Sequence, residues 1–259
     1  MAILSAVQFR PRMATSMADV GNNYRQCEPL IHRAGALGSQ FIAFPELCFT
    51  GYSFMNRDEA ARVCEKVDGP TFRFMRGVAL ELKAYVSWGY IESDNAGLYN
   101  SSTLVSPEGK VLTTYRKINF YGNDFLWATP GFESAPVVQT DFGATSIVIC
   151  RDLRNKIPQN IPRISSKSVP LFGTQKLDLV AASVNWGKSG YPANSWMDFV
   201  ADNHCTLIIA NRWGEEGGSY NFSQDFGQGG SIIIEPSWKC HTGGVDFSNN
   251  CVVTANTET

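Results

Sequence analysis

Phe41-Ile42-Ala43-Phe44-Pro45-Glu46 is the stretch from which the fold can be worked out. Its four leading apolar residues are too few for a helix and typical of a buried strand, and the proline ends that strand just before a carboxylate. Helical spacing of apolar residues precedes it at Val20 to Leu37 and follows it at Pro70 to Leu82. With the apolar runs Ile3 to Phe9 and Ala84 to Ile91, the pattern is the β-α-β-α-β alternation of a layered α/β domain.

Later segments add hairpins to this alternation, so we expect mixed sheets. Leu98 to Val105 and Val111 to Tyr115 flank a turn of Ser, Pro, Glu, Gly and Lys, and a helix is predicted between Trp196 and His204. Further buried strands are predicted at Ser146 to Ile149, Leu179 to Val184, Leu207 to Ala210, Ser231 to Ile234 and Cys251 to Val253. Asn155 to Gln175, with three prolines, is predicted to be an irregular loop. No linker-like shift in composition divides the chain, which we interpret as one domain over residues 1–259.

Composition narrows the class of partner. The chain has 259 residues, 44% of them hydrophobic, and 22 basic residues against 24 acidic ones give a net charge of −2. Such a balance provides no long-range field to attract nucleic acid or an anionic membrane, and no apolar run reaches the roughly 18 residues of a membrane helix. We therefore expect a cytoplasmic protein that acts on a small molecule and binds neither nucleic acid nor membrane.

The cysteines and histidines point away from disulfides and metals. Seven cysteines are scattered without a C-x-x-C pair, and the three histidines are too far apart to form a zinc motif. In a reduced cytosolic protein, the glycosylation sequons at Asn100 and Asn221 are expected to be chance matches. We expect no metal and no organic cofactor.

Three reactive side chains follow predicted buried strands. Glu46 follows the strand at 41–44, Lys117 closes the strand at 111–115, and Cys150 follows the strand at 146–149. At the carboxyl edge of a sheet, where ligands collect in α/β folds, a desolvated carboxylate is a usable base and an activated thiol is a nucleophile. A lysine there can stabilise an oxyanion. Each residue alone is more often structural, so the hypothesis rests on all three occurring together.

These segments resemble the three signature blocks of the nitrilase superfamily of carbon-nitrogen hydrolases. The blocks are Phe44-Pro45-Glu46-Leu47 with Gly51-Tyr52, Tyr115-Arg116-Lys117, and Cys150-Arg151-Asp152-Leu153-Arg154. Ala201-Asp202-Asn203 and Asn211-Arg212-Trp213-Gly214 resemble further family segments, so the resemblance runs from Ile3 to about Val253. It implies a four-layer α-β-β-α sandwich of two mixed sheets, and a homodimer or a higher homo-oligomer.

The resemblance also implies a mechanism. Glu46 takes the proton of Cys150, the thiolate attacks an amide carbonyl, and Lys117 with a backbone N–H stabilises the oxyanion. Two departures from the family pattern qualify this. A second glutamate, which relatives carry between the lysine and the cysteine, is missing, and Asp124 is the nearest substitute. After Arg154 the usual aromatic-Pro-Glu sequence is replaced by Asn-Lys-Ile-Pro, which weakens any transfer of substrate specificity.

Substrate class is therefore the open question. True nitrilases usually follow the cysteine with Trp-Glu, whereas Arg151-Asp152 stands here, so an amide or N-carbamoyl substrate is favoured over a nitrile. Arg151 and Arg154 could each bind a substrate carboxylate or pair with Asp152 and other acids of the fold; the structural role is favoured for Arg154, and both roles stay open for Arg151. Tyr52, Trp186 and Trp213 are candidate pocket residues. The alternatives are a nitrilase and a catalytically silent relative that binds a small molecule or a protein.

Overall fold

The computed structural model describes residues 2–154, 171–172, 175–187, 192–217, 223–225, 229–242 and 249–257. In chain order its elements are β1 Ala2–Gln8, α1 Met17–Ala36, β2 Phe41–Ala43, α2 Arg57–Ala61, α3 Pro70–Leu82, β3 Tyr85–Ser93, β4 Leu98–Val105, β5 Val111–Arg116, α4 Asp124–Trp127, β6 Val137–Thr140, β7 Gly143–Ile149, a 3-10 turn Cys150–Leu153, β8 Leu179–Val184, α5 Asn194–Asn203, β9 Thr206–Asn211, β10 Glu215–Gly217, β11 Ser223–Asp225, β12 Ile232–Ile234, β13 Cys240–Thr242 and β14 Cys251–Thr257.

Two six-stranded sheets form the centre of the fold. Their strand orders are β14-β1-β2-β3-β4-β5 and β13-β12-β9-β8-β7-β6, and β10 pairs separately with β11. In each sheet three consecutive strands run parallel, β1 to β3 in the first and β7 to β9 in the second, and the remaining pairs are antiparallel. Both sheets are mixed, as the hairpins in the sequence predicted.

Helices cover the outer faces of the two sheets. Apolar residues of α1 and α3, such as Val20 and Met75, share a buried cluster with Ile42 and Trp88 of the first sheet. Residues of α5, such as Phe199, pack into the cluster that contains the second sheet. The inner faces meet through apolar side chains and through Ser183 Oγ, which donates to the backbone oxygen of Phe44 at 2.9 Å. This is the four-layer α-β-β-α sandwich that the resemblance implied.

The predicted strands and helices agree with the structure to within a few residues. The last strand extends to Thr257, beyond the predicted Val253, because all seven residues of β14 pair with β1. The sequence patterns did not predict α2, α4, β6, β10, β11 or β13, which are short elements with three to five residues each. Most of the loop predicted at Asn155 to Gln175, together with Asn221, lies outside the described residues. None of the described helices has the length and apolar composition needed to span a membrane.

Candidate active site

Glu46 lies just beyond β2, at the edge where the parallel strands end. It is fully buried, and the next residue, Leu47, has a φ of +48° in the left-handed region. The backbone at this point packs directly against β3. A Cβ added to Gly89 would lie 2.7 Å from both Glu46 Cα and Leu47 N, so only glycine permits this approach without a shift.

Lys117 joins Glu46 to Asp124. β5 runs parallel to β3 in direction, because each is antiparallel to β4, and Lys117 therefore emerges at the same edge as Glu46. Its Nζ lies 2.7 Å from Glu46 Oε1 and 2.6 Å from Asp124 Oδ2, and all three side chains are fully buried. The structure thus places Asp124, at the start of α4, in the position of an acid beside the lysine.

Asn100, which sequence reasoning considered only as a sequon, completes this ionic cluster. Its Nδ2 donates to Glu46 Oε1 at 2.7 Å and to Asp124 Oδ1 at 2.9 Å, and its backbone oxygen accepts from Lys117 N at 2.8 Å. Asn100 is fully buried near the beginning of β4. A buried polar residue in a strand was the available signal, but its partners could not be read from the sequence.

The two carboxylate oxygens of Glu46 differ in their hydrogen bonding. Oε1 accepts from Lys117 and Asn100, whereas the buried Oε2 has no hydrogen-bond partner among the described residues. Burial raises the pKa of Glu46; the charge of Lys117 lowers it, the charge of Asp124 raises it again, and the net shift is upward. For Lys117, burial opposes the charged form, but the charges of Asp124 and Glu46 outweigh burial and raise its pKa well above the ordinary value.

Cys150 begins the 3-10 turn that follows β7. It is buried and has a φ of +45°, a conformation uncommon for a residue with a side chain and costly unless its surroundings enforce it. Burial raises the pKa of the Cys150 thiol, the negative charge of Glu46 raises it further, and Lys117 and a backbone hydrogen bond from Asn185 lower it. The thiol is therefore protonated at neutral pH and within electrostatic reach of Glu46, Lys117 and Asp124, so it needs a base to become a nucleophile.

Tyr52 and Arg151 border this cluster. Lys117 Nζ lies 5.9 Å from the centre of the Tyr52 ring, and the Tyr52 hydroxyl donates to the backbone oxygen of Tyr121. The guanidinium carbon of Arg151 lies 5.6 Å from the centre of the Tyr121 ring. Tyr121 was not predicted as a site residue; its N–H donates to Asp124 Oδ2 at 3.0 Å.

The two tryptophans have different positions. Trp186 follows β8, is buried, and has the guanidinium of Arg154 4.9 Å from its ring centre. Asn211 fixes this segment, because its Oδ1 accepts from Trp186 N at 2.9 Å. Trp213 instead donates to Asn250 Oδ1 at 2.8 Å and stacks with Arg10, and none of its described contacts is with the catalytic candidates.

A second buried ion pair supports the loop that carries Tyr52. Glu216, in β10, pairs with Arg212, and both side chains are at most 3% exposed. Its other oxygen, Oε2, accepts from Tyr52 N at 2.7 Å and from the N–H and hydroxyl of Ser53 at 2.8 Å each. Sequence reasoning did not identify Glu216, which connects the loop after Glu46 to the second sheet.

The described residues contain no group of three or more His, Cys, Asp or Glu side chains arranged to hold a metal.

Asp152 has a structural environment: its carboxylate accepts from the Tyr115 hydroxyl and from Asn119, and burial raises its pKa to about 6. Neither Arg151 nor Arg154 forms an ion pair with it. A pairing of Arg154 with Asp152, one of the structural roles open to it, is therefore not found.

Comparisons with known proteins identify relatives in sequence and in fold. A nitrilase from Pyrococcus abyssi is 29% identical over 227 residues, which are 84% of this chain and 78% of the nitrilase. A protein N-terminal amidase from Schizosaccharomyces pombe is 30% identical over 158 residues, 57% of this chain, and the match spans about half of that relative, 54% of its length.

The fold is shared with a solved amidase structure. A mutant of the amidase from Nesterenkonia sp. AN1, with acrylamide added at its active-site cysteine, superposes with a TM-score of 0.77. The superposition covers 100% of this chain and 94% of the amidase at 18% identity. The family model described as carbon-nitrogen hydrolase matches residues 3–255. This chain therefore belongs to the carbon-nitrogen hydrolases of the nitrilase superfamily.

Proposed function

We propose that this chain is a thiol amidohydrolase that cleaves a non-peptide C–N bond of a small amide or N-carbamoyl compound through a thioester on Cys150. The observation that carries the proposal is the buried Glu46 Oε2, which has no hydrogen-bond partner among the described residues while Oε1 is held by Lys117 and Asn100. A buried carboxylate oxygen without a partner is costly in a purely structural residue. It suits a base that must accept a proton.

Acylation follows from these positions. Glu46 Oε2 accepts the Cys150 proton as Sγ bonds to the carbonyl carbon, and the C=O electron pair moves to oxygen. Two of the three protons on Lys117 Nζ point to Glu46 and Asp124, which leaves the third for the oxyanion. Backbone N–H groups at the start of the 3-10 turn have no partner within it and supply the second donor. Glu46 then protonates the departing nitrogen, and the C–N bond breaks.

Deacylation uses the same carboxylate. Glu46, ionised again after the amine or ammonia has left, takes a proton from water, and the oxygen attacks the thioester carbon. The C–S bond breaks, the acid product leaves, and the thiolate recovers its proton from Glu46. Asp124 assists because its charge raises the pKa of Glu46 and so makes the carboxylate a stronger base. Asp124 is thus proposed to serve in place of the second glutamate.

The amide reading is supported by the relatives named as amidases, including the Nesterenkonia protein with a small amide at its cysteine. A nitrile is the second candidate, because a relative that covers 84% of this chain is named a nitrilase. Arg151-Asp152 after the nucleophile favours the amide. A silent binding protein is disfavoured by the intact cluster around Glu46. The cytoplasmic location and the homo-oligomeric state stay predictions.

Ammonia release from a panel of small amides, N-carbamoyl compounds and nitriles tests the proposal. The panel should include a peptide whose N-terminal residue carries a side-chain amide. We expect release from an amide or carbamoyl compound, its loss in Cys150→Ala, and its retention in Cys240→Ala, which removes an exposed cysteine instead. Release from nitriles alone would favour the second candidate, and no release with any compound would favour the silent binding protein.

A further inference from the structure

The Arg151 guanidinium is a buried cation beside the nucleophile. The residue is only 8% exposed, it directly follows Cys150, and its guanidinium carbon lies 5.6 Å from the Tyr121 ring centre. Tyr121 also accepts the hydroxyl of Tyr52 and bonds to Asp124 through its N–H. Arg151 is therefore on the same wall of the site as the residues around Lys117.

No carboxylate neutralises this guanidinium in the described part of the chain. Glu46 and Asp124 bond to Lys117 and Asn100, and Asp152 accepts from Tyr115 and Asn119. Arg154, three residues further along the chain, is another cation. Residues 155–170, which follow it, contain no Asp or Glu.

A largely buried charge that has no counter-ion among the described residues is costly, and a ligand that supplies the opposite charge would remove that cost. Arginine suits this role because it stays ionised and its planar fork binds a carboxylate through two parallel hydrogen bonds. The Tyr121 ring limits the orientations of the guanidinium plane, which lowers the entropy lost on binding.

We propose that Arg151 binds a carboxylate carried by the substrate, so that the preferred substrates are acidic amides. The inference rests on the proposed amidohydrolase function and narrows its substrate class. The carboxylate can belong to the monoamide of a dicarboxylic acid or to an N-carbamoyl amino acid. Both place an anion a few bonds from the carbonyl carbon that Cys150 attacks.

Two matched pairs of compounds test the proposal with the full-length protein. Glutaric acid monoamide is compared with pentanamide, and N-carbamoylglycine with ethylurea, so that each pair differs in the carboxylate. We expect the wild-type protein to have the higher kcat/KM for the acidic member of at least one pair, and the active pair identifies the source of the carboxylate.

Variants separate binding from structural support. Because a hydrogen bond to a charged group contributes about 1.5–3 kcal/mol, Arg151→Gln should lower the acid-to-neutral ratio of kcat/KM by about 10- to 100-fold. The lower kcat/KM for the acidic member should result mainly from a higher KM, and Arg151→Lys should restore part of the acid-to-neutral ratio. Arg25→Gln, a charge removal on the exposed face of α1, is the matched control and should leave the ratio unchanged.

The outcomes are distinguishable. Hydrolysis that favours the neutral member of both pairs overturns the inference. An Arg151→Gln variant whose kcat/KM falls equally for the acidic and the neutral member overturns it as well. In each case the amidohydrolase function stands. An absence of turnover and of any adduct on Cys150 with all four compounds contradicts the proposed function itself, and the inference falls with it.

Discussion

Glu46 and Glu216 are both buried glutamates paired with a cation, but they use their oxygens differently. Glu216 fills both of its oxygens, with Arg212 on one and the Tyr52 and Ser53 donors on the other. Glu46 fills Oε1 and leaves Oε2 without a partner in the described structure. Satisfied carboxylates hold structure together, whereas an unsatisfied one beside a thiol is available for proton transfer. The comparison predicts opposite consequences for the same substitution at the two positions.

The largest expected effect on turnover is that of Glu46→Gln. The amide cannot accept the Cys150 proton, so kcat should fall by about 10²- to 10⁴-fold, the contribution of a general acid-base residue. Lys117 keeps its bond to Asp124, so the free energy of unfolding should change little. Steady-state ammonia release and urea denaturation measure the two quantities. Near-normal turnover would show that another group accepts the proton.

Glu216→Gln should give the reverse pattern. It removes the negative charge from a buried ion pair, so the free energy of unfolding should fall by about 3–5 kcal/mol. In the folded fraction, kcat should stay within about tenfold of the wild-type value, which corresponds to a change of at most about 1.4 kcal/mol in the activation free energy. The same denaturation and turnover measurements apply at a temperature where the variant is folded. A larger loss of kcat than in Glu46→Gln would invalidate the comparison.

Asp124→Asn tests how the base is tuned. Asp124 raises the pKa of Glu46, so its removal should lower that pKa. Activity requires the ionised form of Glu46. It is therefore present above the pKa of Glu46 and is lost as the pH falls through that pKa. The acidic limb of kcat/KM against pH should therefore move to lower pH, while kcat falls about tenfold because the base is weaker. An acidic limb that stays in place would indicate that Asp124 does not act through Glu46.

Gly89→Ala should have the smallest effect. Its Cβ would lie 2.7 Å from the backbone at Glu46 and Leu47, and relief of such an overlap costs about 1–3 kcal/mol of stability. Turnover should fall because Glu46 must move. Gly77→Ala is the control, since a Cβ there meets nothing within 4 Å and alanine favours the α3 helix by about 1 kcal/mol. Equal thermal stability of the two variants would show that the contact at Gly89 is not required.

The central strands and the helices could be predicted from local sequence patterns, whereas the four-layer arrangement and the joint role proposed for Glu46, Lys117 and Cys150 came from the resemblance to the family. Apolar runs predicted the central strands, and the reactive residues follow those strands directly: Glu46 and Lys117 lie at the ends of strands in the first sheet, and Cys150 at the end of β7 in the second. The resemblance also identified Asp124 as the nearest substitute for the glutamate that relatives place near the lysine, and in the structure Asp124 Oδ2 lies 2.6 Å from Lys117 Nζ.

What could not be predicted depends on long-range contacts. Asn100 bonds to Glu46 and Asp124, which are 54 and 24 residues away, and Glu216 bonds to Tyr52 across 164 residues. Nothing in the local sequence of Asn100 or Glu216 encodes those partners; only the packing of the sheets creates them. Trp213, predicted as a pocket residue from the family pattern, contacts Arg10 and Asn250, and neither of these contacts could be read from its local sequence.

The most direct test of the account is peptide mass spectrometry of the protein quenched with acid during turnover of its best amide. The account predicts an acyl group on the peptide that contains Cys150, on none of the other six cysteines, and no acyl group or ammonia release in Cys150→Ala. Turnover by Cys150→Ala at the wild-type rate, or an acyl group on another cysteine during turnover, would contradict it.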